Sequence, residues 1–334
     1  MINKYDIMIK YIVETCFIIC LFSSLNITAQ GLLLDVEISE DHDKIQRSRA
    51  DRVPKIASLK EYTPYVMMQQ NSTCVAYSVA TARTILFARN NDIKSKDTIT
   101  ALFYSPHWVY YLNKDQYDTS CSQGLNLDKT LKHILGNGIP RMAYVEYPLY
   151  YPFTEDVLCG QYPPSINDDI KDAESQMVDE VYLLEDLEDV KIAISRGMPV
   201  VFGMGIPNTF ENVLGQDVWL PDETTKAIDR YGHAMVIVGY NDYKYGGAVQ
   251  IVNSWGEDWG NNGFIWIKYD DLLDYITKYV YALDKKKEIK FGGLPSILEN
   301  ETIENVLNRD EVNETINRFS NVTELVFKLN LSKE

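Results

Sequence analysis

The chain has 334 residues, 46% hydrophobic and 24% charged, and carries a formal net charge of −16 from 32 basic and 48 acidic side chains. That length allows one large domain with extensions or two smaller ones. The composition excludes a wholly disordered chain, a collagen and a polytopic membrane protein. So acidic a chain repels phosphate backbones, which argues against a nucleic-acid partner.

The N-terminus reads as a targeting segment. Lys4 and Lys10 lead into an apolar stretch over 11–22, broken by Glu14 and Thr15, and Ser23, Ser24, Thr28, Ala29 and Gln30 follow. A positive start, a short apolar core and small residues at its end predict a secretory signal peptide over 1–30. The protein is therefore expected to be exported, to the periplasm, cell surface or medium. The apolar run falls well short of the ~20 residues a membrane span needs, so no stable span is expected once the signal is removed. Removal also takes Cys16 and Cys20 away. Cys74, Cys121 and Cys159 remain, and an odd count in an exported protein suggests one pair and one free thiol.

Residues 31–57 are polar and mixed in charge, a short pro-segment or, by default, a loose arm. From Cys74 onward, Val75, Val79, Ala82 and Leu86 recur at helical spacing, and Ser72 and Thr73 stand where N-caps belong. Further helices are predicted over 105–112 and 127–135, the second closed by Gly136, Asn137 and Gly138. A Tyr/Pro-rich loop follows over 148–164. A helix over 187–196 feeds a Val/Ile-rich run at 199–206, and similar runs at 234–240, 248–253 and 263–268 read as strands. A helical half thus precedes a β-rich half, an α+β organisation with one dense domain over 58–284. Residues 285–334 form an extension rich in Asn, Glu and Thr. Its alternating Leu325, Phe327, Leu329 and Leu331 suggest one strand and no function.

Nucleophilic catalysis by cysteine needs a thiol that ionises, a histidine that pairs with it and a third group that orients the imidazole. Cys74, at the start of its helix, stands where unpaired N–H groups and the helix dipole favour thiolate; alone, it reads as a small buried helix cysteine. Of the four histidines, His42 lies in the charged arm, and His107 and His133 lie in helical stretches as packing or surface residues. His233 enters a predicted strand between the small residues Gly232 and Ala234, which leaves room for a substrate. Asn253, followed by Ser254, Trp255 and Gly256, puts an amide and an indole at a strand end. The amide can accept the imidazole N–H and the indole can cover that bond.

Three blocks carry a resemblance. They are Ser72-Thr73-Cys74-Val75-Ala76-Tyr77-Ser78, then Gly232-His233-Ala234-Met235 running to Gly239-Tyr240, then Val252-Asn253-Ser254-Trp255-Gly256 with Trp259, Gly260, Gly263 and Phe264. Together they resemble the papain-like cysteine peptidases, in the order Cys, His, Asn. His233 and Asn253 lie 159 and 179 residues after Cys74, against about 130–150 in that family, so an insertion is expected, at 210–231.

The resemblance implies a two-part papain-like fold, helical half plus β-rich half, with the active-site cleft between them. It makes Cys74 the nucleophile, His233 its partner and later the general acid, Asn253 the orienting residue and Trp255 the shield of the His–Asn bond. It implies an oxyanion hole from a glutamine side chain, Gln69 with Gln70 as fallback, because Met68 stands at the family's position and a one-residue deletion brings Gln69 there. It implies substrate contacts at Gly124, Leu125, Gly232 and Ala234, with Leu125, Leu127 and the 199–206 strand lining an apolar pocket, and a Cys121–Cys159 disulfide that leaves Cys74 free.

Three positions depart from the family. No cysteine lies shortly before Cys74, Val75 replaces the usual aromatic, and Leu125 replaces the second glycine of a Gly-Gly pair, so that substrate would be gripped differently there. The arm is too short for a long inhibitory propeptide, so any latency falls to the arm or the C-terminal extension.

The implied activity is hydrolysis of peptide bonds through a thioester, by a monomer acting on peptide or protein substrates. No cofactor or metal is expected, since no His-Glu-x-x-His helix and no paired Cys-x-x-Cys motifs occur outside the signal. Two other readings are open. One is a catalytically silent papain-like fold used for binding, motivated by Gln69, Val75 and Leu125. The other is acyl transfer or exopeptidase trimming with the same triad.

Overall fold

The computed structural model describes residues 31–34, 42–48, 52–142, 178, 180–222 and 232–285. The predicted signal segment, the 148–164 loop, Cys159 and nearly all of the C-terminal extension lie outside them. Among the described residues no helix is long and apolar enough to cross a membrane.

The helical half is built on α1, Cys74–Asn90. Its small residues Ala76, Ala80 and Ala82 and its larger Val79, Ile85 and Leu86 are all buried. A helix apolar on most sides belongs in a core, and α1 packs against other elements of both halves. Thr73 occupies its cap position, but the side chain makes no capping bond; the hydroxyl turns back to the Gln70 carbonyl instead. Three helices surround it. α2, Lys96–Ala101, is capped by Ser95, and α3, Pro106–Asn113, starts on a Ser105 cap with proline at its first position. α4, Leu127–Asn137, starts at Asn126 and ends at Gly138, φ 66°.

The β half is an eight-stranded sheet. Its strands are β1 (Asp43–Lys44), β2 (Ile56–Ser58), β3 (Glu180–Leu183), β4 (Val200–Gly205), β5 (Gly232–Asn241), β6 (Ala248–Val252), β7 (Phe264–Lys268) and β8 (Ile276–Asp284). The order is β1-β3-β8-β4-β5-β6-β7, with β2 on β5, and only β1–β3 is parallel. β4 and β6 are buried throughout and β5 at all but its last residue, as their unbroken apolar runs require. Helix α5, Leu187–Arg196, matches its predicted span because Asp186 caps it and Gly197, φ 88°, stops it. α6, Asn208–Glu211, and α7, Tyr269–Tyr275, complete the half.

The arm is not loose. Gly31–Leu34 lies between the two halves, and Asp43–Lys44 pairs with β3 as the sheet's edge. Arg47 ties it down further by forked bonds to Asp186, 2.7 Å, and a 2.7 Å bond to Asp189. His42 is buried, not part of a solvated charge run. Its Nε2 lies 2.8 Å from Asp128 Oδ1, and the Tyr281 hydroxyl donates to the same oxygen at 3.0 Å. These three side chains come from arm, α4 and β8, so the arm joins both halves. The described part of the predicted insertion is also packed in place, with Phe210 and Trp219 edge-on and Phe210 against Trp255 and Trp259.

Candidate active site

The site forms where the N-terminus of α1 meets the start of β5. Ser78 donates to the Ala234 carbonyl at 2.7 Å, tying the helix to the strand, and the Ala234 N–H points at Cys74 Sγ from 3.5 Å. The thiol therefore sits one residue from His233. Sheet register brings the third member in. Val236 pairs with Val252, so the chain leaving β6 runs back beside the residues that precede Val236. Asn253 Oδ1 thereby lies 2.7 Å from His233 Nε2. The same oxygen accepts the Ser254 N–H at 2.8 Å. An amide oxygen can only accept, so Nε2 carries the imidazole proton and Nδ1 is the acceptor in the neutral ring. Trp255 lies over the ring, centroids 4.6 Å apart and planes inclined by 31°. Cys74 and His233 are both 0% exposed. Cys74 is the free cysteine among the described residues; Cys159, the expected partner of Cys121, lies outside them.

The two glutamines separate. Gln69 is buried beside Asn253's neighbour: its Oε1 accepts from Ser254 Oγ at 2.6 Å, and its Nε2 donates to the Asn71 carbonyl at 3.0 Å. One N–H of that amide remains for another acceptor. Gln70 instead lines a small cavity with Thr73, Tyr77, His107, Tyr110 and Cys121.

The cleft is filled by the arm. Leu125 N–H donates to Gly31 O at 2.7 Å, Leu33 N–H to Leu125 O at 3.0 Å, and Leu32 N–H to Gly232 O at 3.1 Å. The Leu32 side chain is buried, and a Cβ on Gly203 would come within 2.4 Å of its Cδ2. The Tyr279 hydroxyl holds Leu34 O at 2.9 Å. Leu125, in place of the second glycine, leaves this edge open to backbone pairing. Its side chain is buried, while its backbone N–H and C=O stay turned to the cleft. Gly124, φ 78°, allows the close passage, since a Cβ there would fall 2.4 Å from Gly31 O.

Burial under the arm sets the thiol's chemistry. It pushes Cys74 up to about 11, while N–H groups of Ala234, Gly31 and Val75 pull the other way. Burial thus favours the protonated thiol in the closed form. The arm offers sulfur the Gly31 N–H, and the Gly31 carbonyl accepts from Leu125. A strand held this way covers the thiol.

Comparison with known proteins gives the chain's relatives. Residues 67–282 match the family described as papain family cysteine protease. An uncharacterized peptidase C1-like protein of Acanthamoeba polyphaga mimivirus is 34% identical over 94 residues, which is 26% of this chain and 28% of that protein's length. Xylellain, a cysteine protease from Xylella fastidiosa, superposes with a TM-score of 0.63 at 19% identity, covering 77% of this chain and 96% of its own. A digestive procathepsin L 3 from the larval midgut of Tenebrio molitor superposes at 0.58 with 15% identity, covering 78% of each chain. At such identities these structures establish the α+β papain-like fold.

Proposed function

Since the chain belongs to the papain family of cysteine proteases, we propose that it is an exported, latent peptidase that hydrolyses peptide bonds through a thioester on Cys74. The observation that carries this reading is a buried thiol met by the Ala234 N–H, one residue from an imidazole that is bonded to Asn253 Oδ1 and roofed by Trp255. A silent fold has no need of an imidazole held in one tautomer beside a free thiol.

With the arm withdrawn, the thiol regains water and passes its proton to His233 Nδ1. The thiolate attacks the scissile carbonyl carbon, and the carbonyl electron pair moves onto oxygen, where the Cys74 backbone N–H and the Gln69 amide receive it. His233 gives its proton to the leaving amine as the C–N bond breaks. It then takes a proton from water, whose oxygen displaces sulfur from the thioester. Leu125 and Gly232 hold the peptide backbone by the groups that now hold the arm, and Gly203 leaves room for an apolar side chain where Leu32 lies. Export is supported by the signal-like residues 1–30, and in an exported chain we pair Cys121 with Cys159.

The test is intact-mass analysis of the secreted chain after treatment with a peptidyl-epoxide thiol probe. A single adduct that vanishes in Cys74→Ala is expected; no adduct after the cleft has been opened, or one that survives that substitution, refutes the reading. The oxyanion assignment has its own check. Gln69→Ala should lower kcat on a fluorogenic peptide amide by about 100-fold, the order seen when one such donor is lost. Gln70→Ala should leave kcat near wild type, and the reverse pattern would make Gln70 the donor.

A further inference from the structure

The loop that presents Leu125 is built around a buried carboxylate. Asp118 is 1% exposed. Its Oδ1 accepts the N–H groups of Ser120, 3.3 Å, and Ser122, 3.1 Å; its Oδ2 accepts the Gln123 N–H, 3.4 Å, and the Tyr110 hydroxyl, 2.6 Å. One charged acceptor satisfies three backbone donors of a turn that has neither helix nor strand to pair them, and charge strengthens each bond. While its hydroxyl hydrogen is donated to Asp118, the Tyr110 oxygen accepts the Gly124 N–H at 3.1 Å. Gly124 leads directly to Leu125, the edge that holds a peptide backbone.

The opposite side of the same loop faces the residues ahead of Cys74. Cys121 O accepts the Ser72 N–H at 3.0 Å, and Ser120 O accepts Asn71 Nδ2 at 3.0 Å. Asn71, at φ 48°, turns its own carbonyl to Gln69 Nε2. Two functional edges, the backbone of Leu125 and the loop carrying Gln69, are therefore set from one carboxylate.

The geometry points to Asp118, with Tyr110 as its relay, as the positioning residue that aligns the peptide-binding edge with the oxyanion loop. It touches no substrate and acts through backbone. The inference rests on the peptidase reading of Cys74, and its test is chosen to fail separately. Asp118→Asn keeps the shape but turns an NH2 group toward donors. Tyr110→Phe removes only the acceptor for Gly124 and the bond to Asp118.

Each full-length variant is treated with two thiol reagents. Iodoacetamide needs only an accessible, activated Cys74; a peptidyl epoxide also needs the backbone edge. Both require the arm to be out, so arm occupancy cancels in the ratio of the two rates. Misplacement of a reacting group by about 1 Å costs up to about 100-fold, so the epoxide-to-iodoacetamide ratio is expected to drop about tenfold or more in Asp118→Asn. Tyr110→Phe should show a smaller drop, and on a peptide amide should raise KM while kcat holds. An unchanged ratio overturns the proposal, and so does equal slowing of both reagents, which would make Asp118 a purely structural residue.

If neither reagent labels the wild-type site even after the cleft has been opened by Leu32→Glu, the peptidase reading has failed and amide hydrogen exchange decides the positioning claim. Faster exchange in Asp118→Asn at Leu125 and Ser72, beyond Asp118's own contacts, supports it. Change confined to Ser120, Ser122 and Gln123 overturns it.

Discussion

Replacing His233 by alanine is expected to slow hydrolysis of a peptide amide by about 100-fold to 10,000-fold, the range that a positioned acid–base group contributes. The imidazole is asked to do two things, and its surroundings leave no substitute. It takes the thiol proton, which burial holds on sulfur against the pull of the surrounding backbone N–H groups in the closed form. It then protonates the leaving amine, a poor leaving group without that proton. Asn253 fixes the ring by Nε2 and Trp255 covers it, so the variant leaves a hole that water cannot fill with the same geometry. The measurement is kcat/KM on a fluorogenic peptide amide, with circular dichroism to show that the sheet persists. A loss below about tenfold would be too small for the acid–base role and would remove His233 from it.

Leu32→Glu is expected to raise the rate at which iodoacetamide alkylates Cys74 at neutral pH by about 30-fold. Full burial of a leucine side chain is worth about 1.5–3 kcal/mol, and a loss of about 2 kcal/mol shifts an equilibrium by about 30-fold. A carboxylate in the same apolar position costs more still. The pH dependence should change in the same direction. In the closed form the reactive thiolate grows only as pH rises toward about 11. With the arm out, sulfur is rehydrated beside His233 and the Ala234 N–H, so the rising limb moves to lower pH. An alkylation rate equal to wild type across that range would show that Gly31–Leu34 does not control access to the thiol.

Much of this was readable from residues in local patterns. Helix α5 could be bounded because its cap, Asp186, and its stop, Gly197, are adjacent to it in sequence. The strands at 199–206, 234–240, 248–253 and 263–268 were marked by apolar runs between Gly, Asn and Asp, and shifted by only a residue or two. Cys74, His233 and Asn253 each stand at the end of such an element, and the resemblance carried by the three blocks around them joins them into one site. What escaped depends on contacts between distant residues. His42 looked like part of a charged arm because its partner Asp128 lies 86 residues on, and Tyr281 is farther still. The three leucines after Gly31 carry no periodicity that announces a strand, since their pairing partners are Leu125 and Gly232. Asp118 is an unremarked acid in a polar stretch until the fold wraps Ser120, Ser122 and Gln123 around it. Strand β8 was passed over because Lys278 and the acids of α7 break its apolar run.

The docking of Asp43–Lys44 on the edge of the sheet and of Arg47 on the start of α5 changes what kind of inhibitor the arm can be. Its inhibitory residues and its anchor belong to one chain, with seven residues, 35–41, between Leu34 and His42. Closure is then a unimolecular event, indifferent to how dilute the protein becomes. Any peptide that reaches the cleft competes with a tethered rival whose local concentration is of the order of millimolar for so short a connection. Turnover should therefore depend on substrate concentration far more steeply than on protein concentration, and weakly held peptides at micromolar levels should be excluded without any cleavage of the chain.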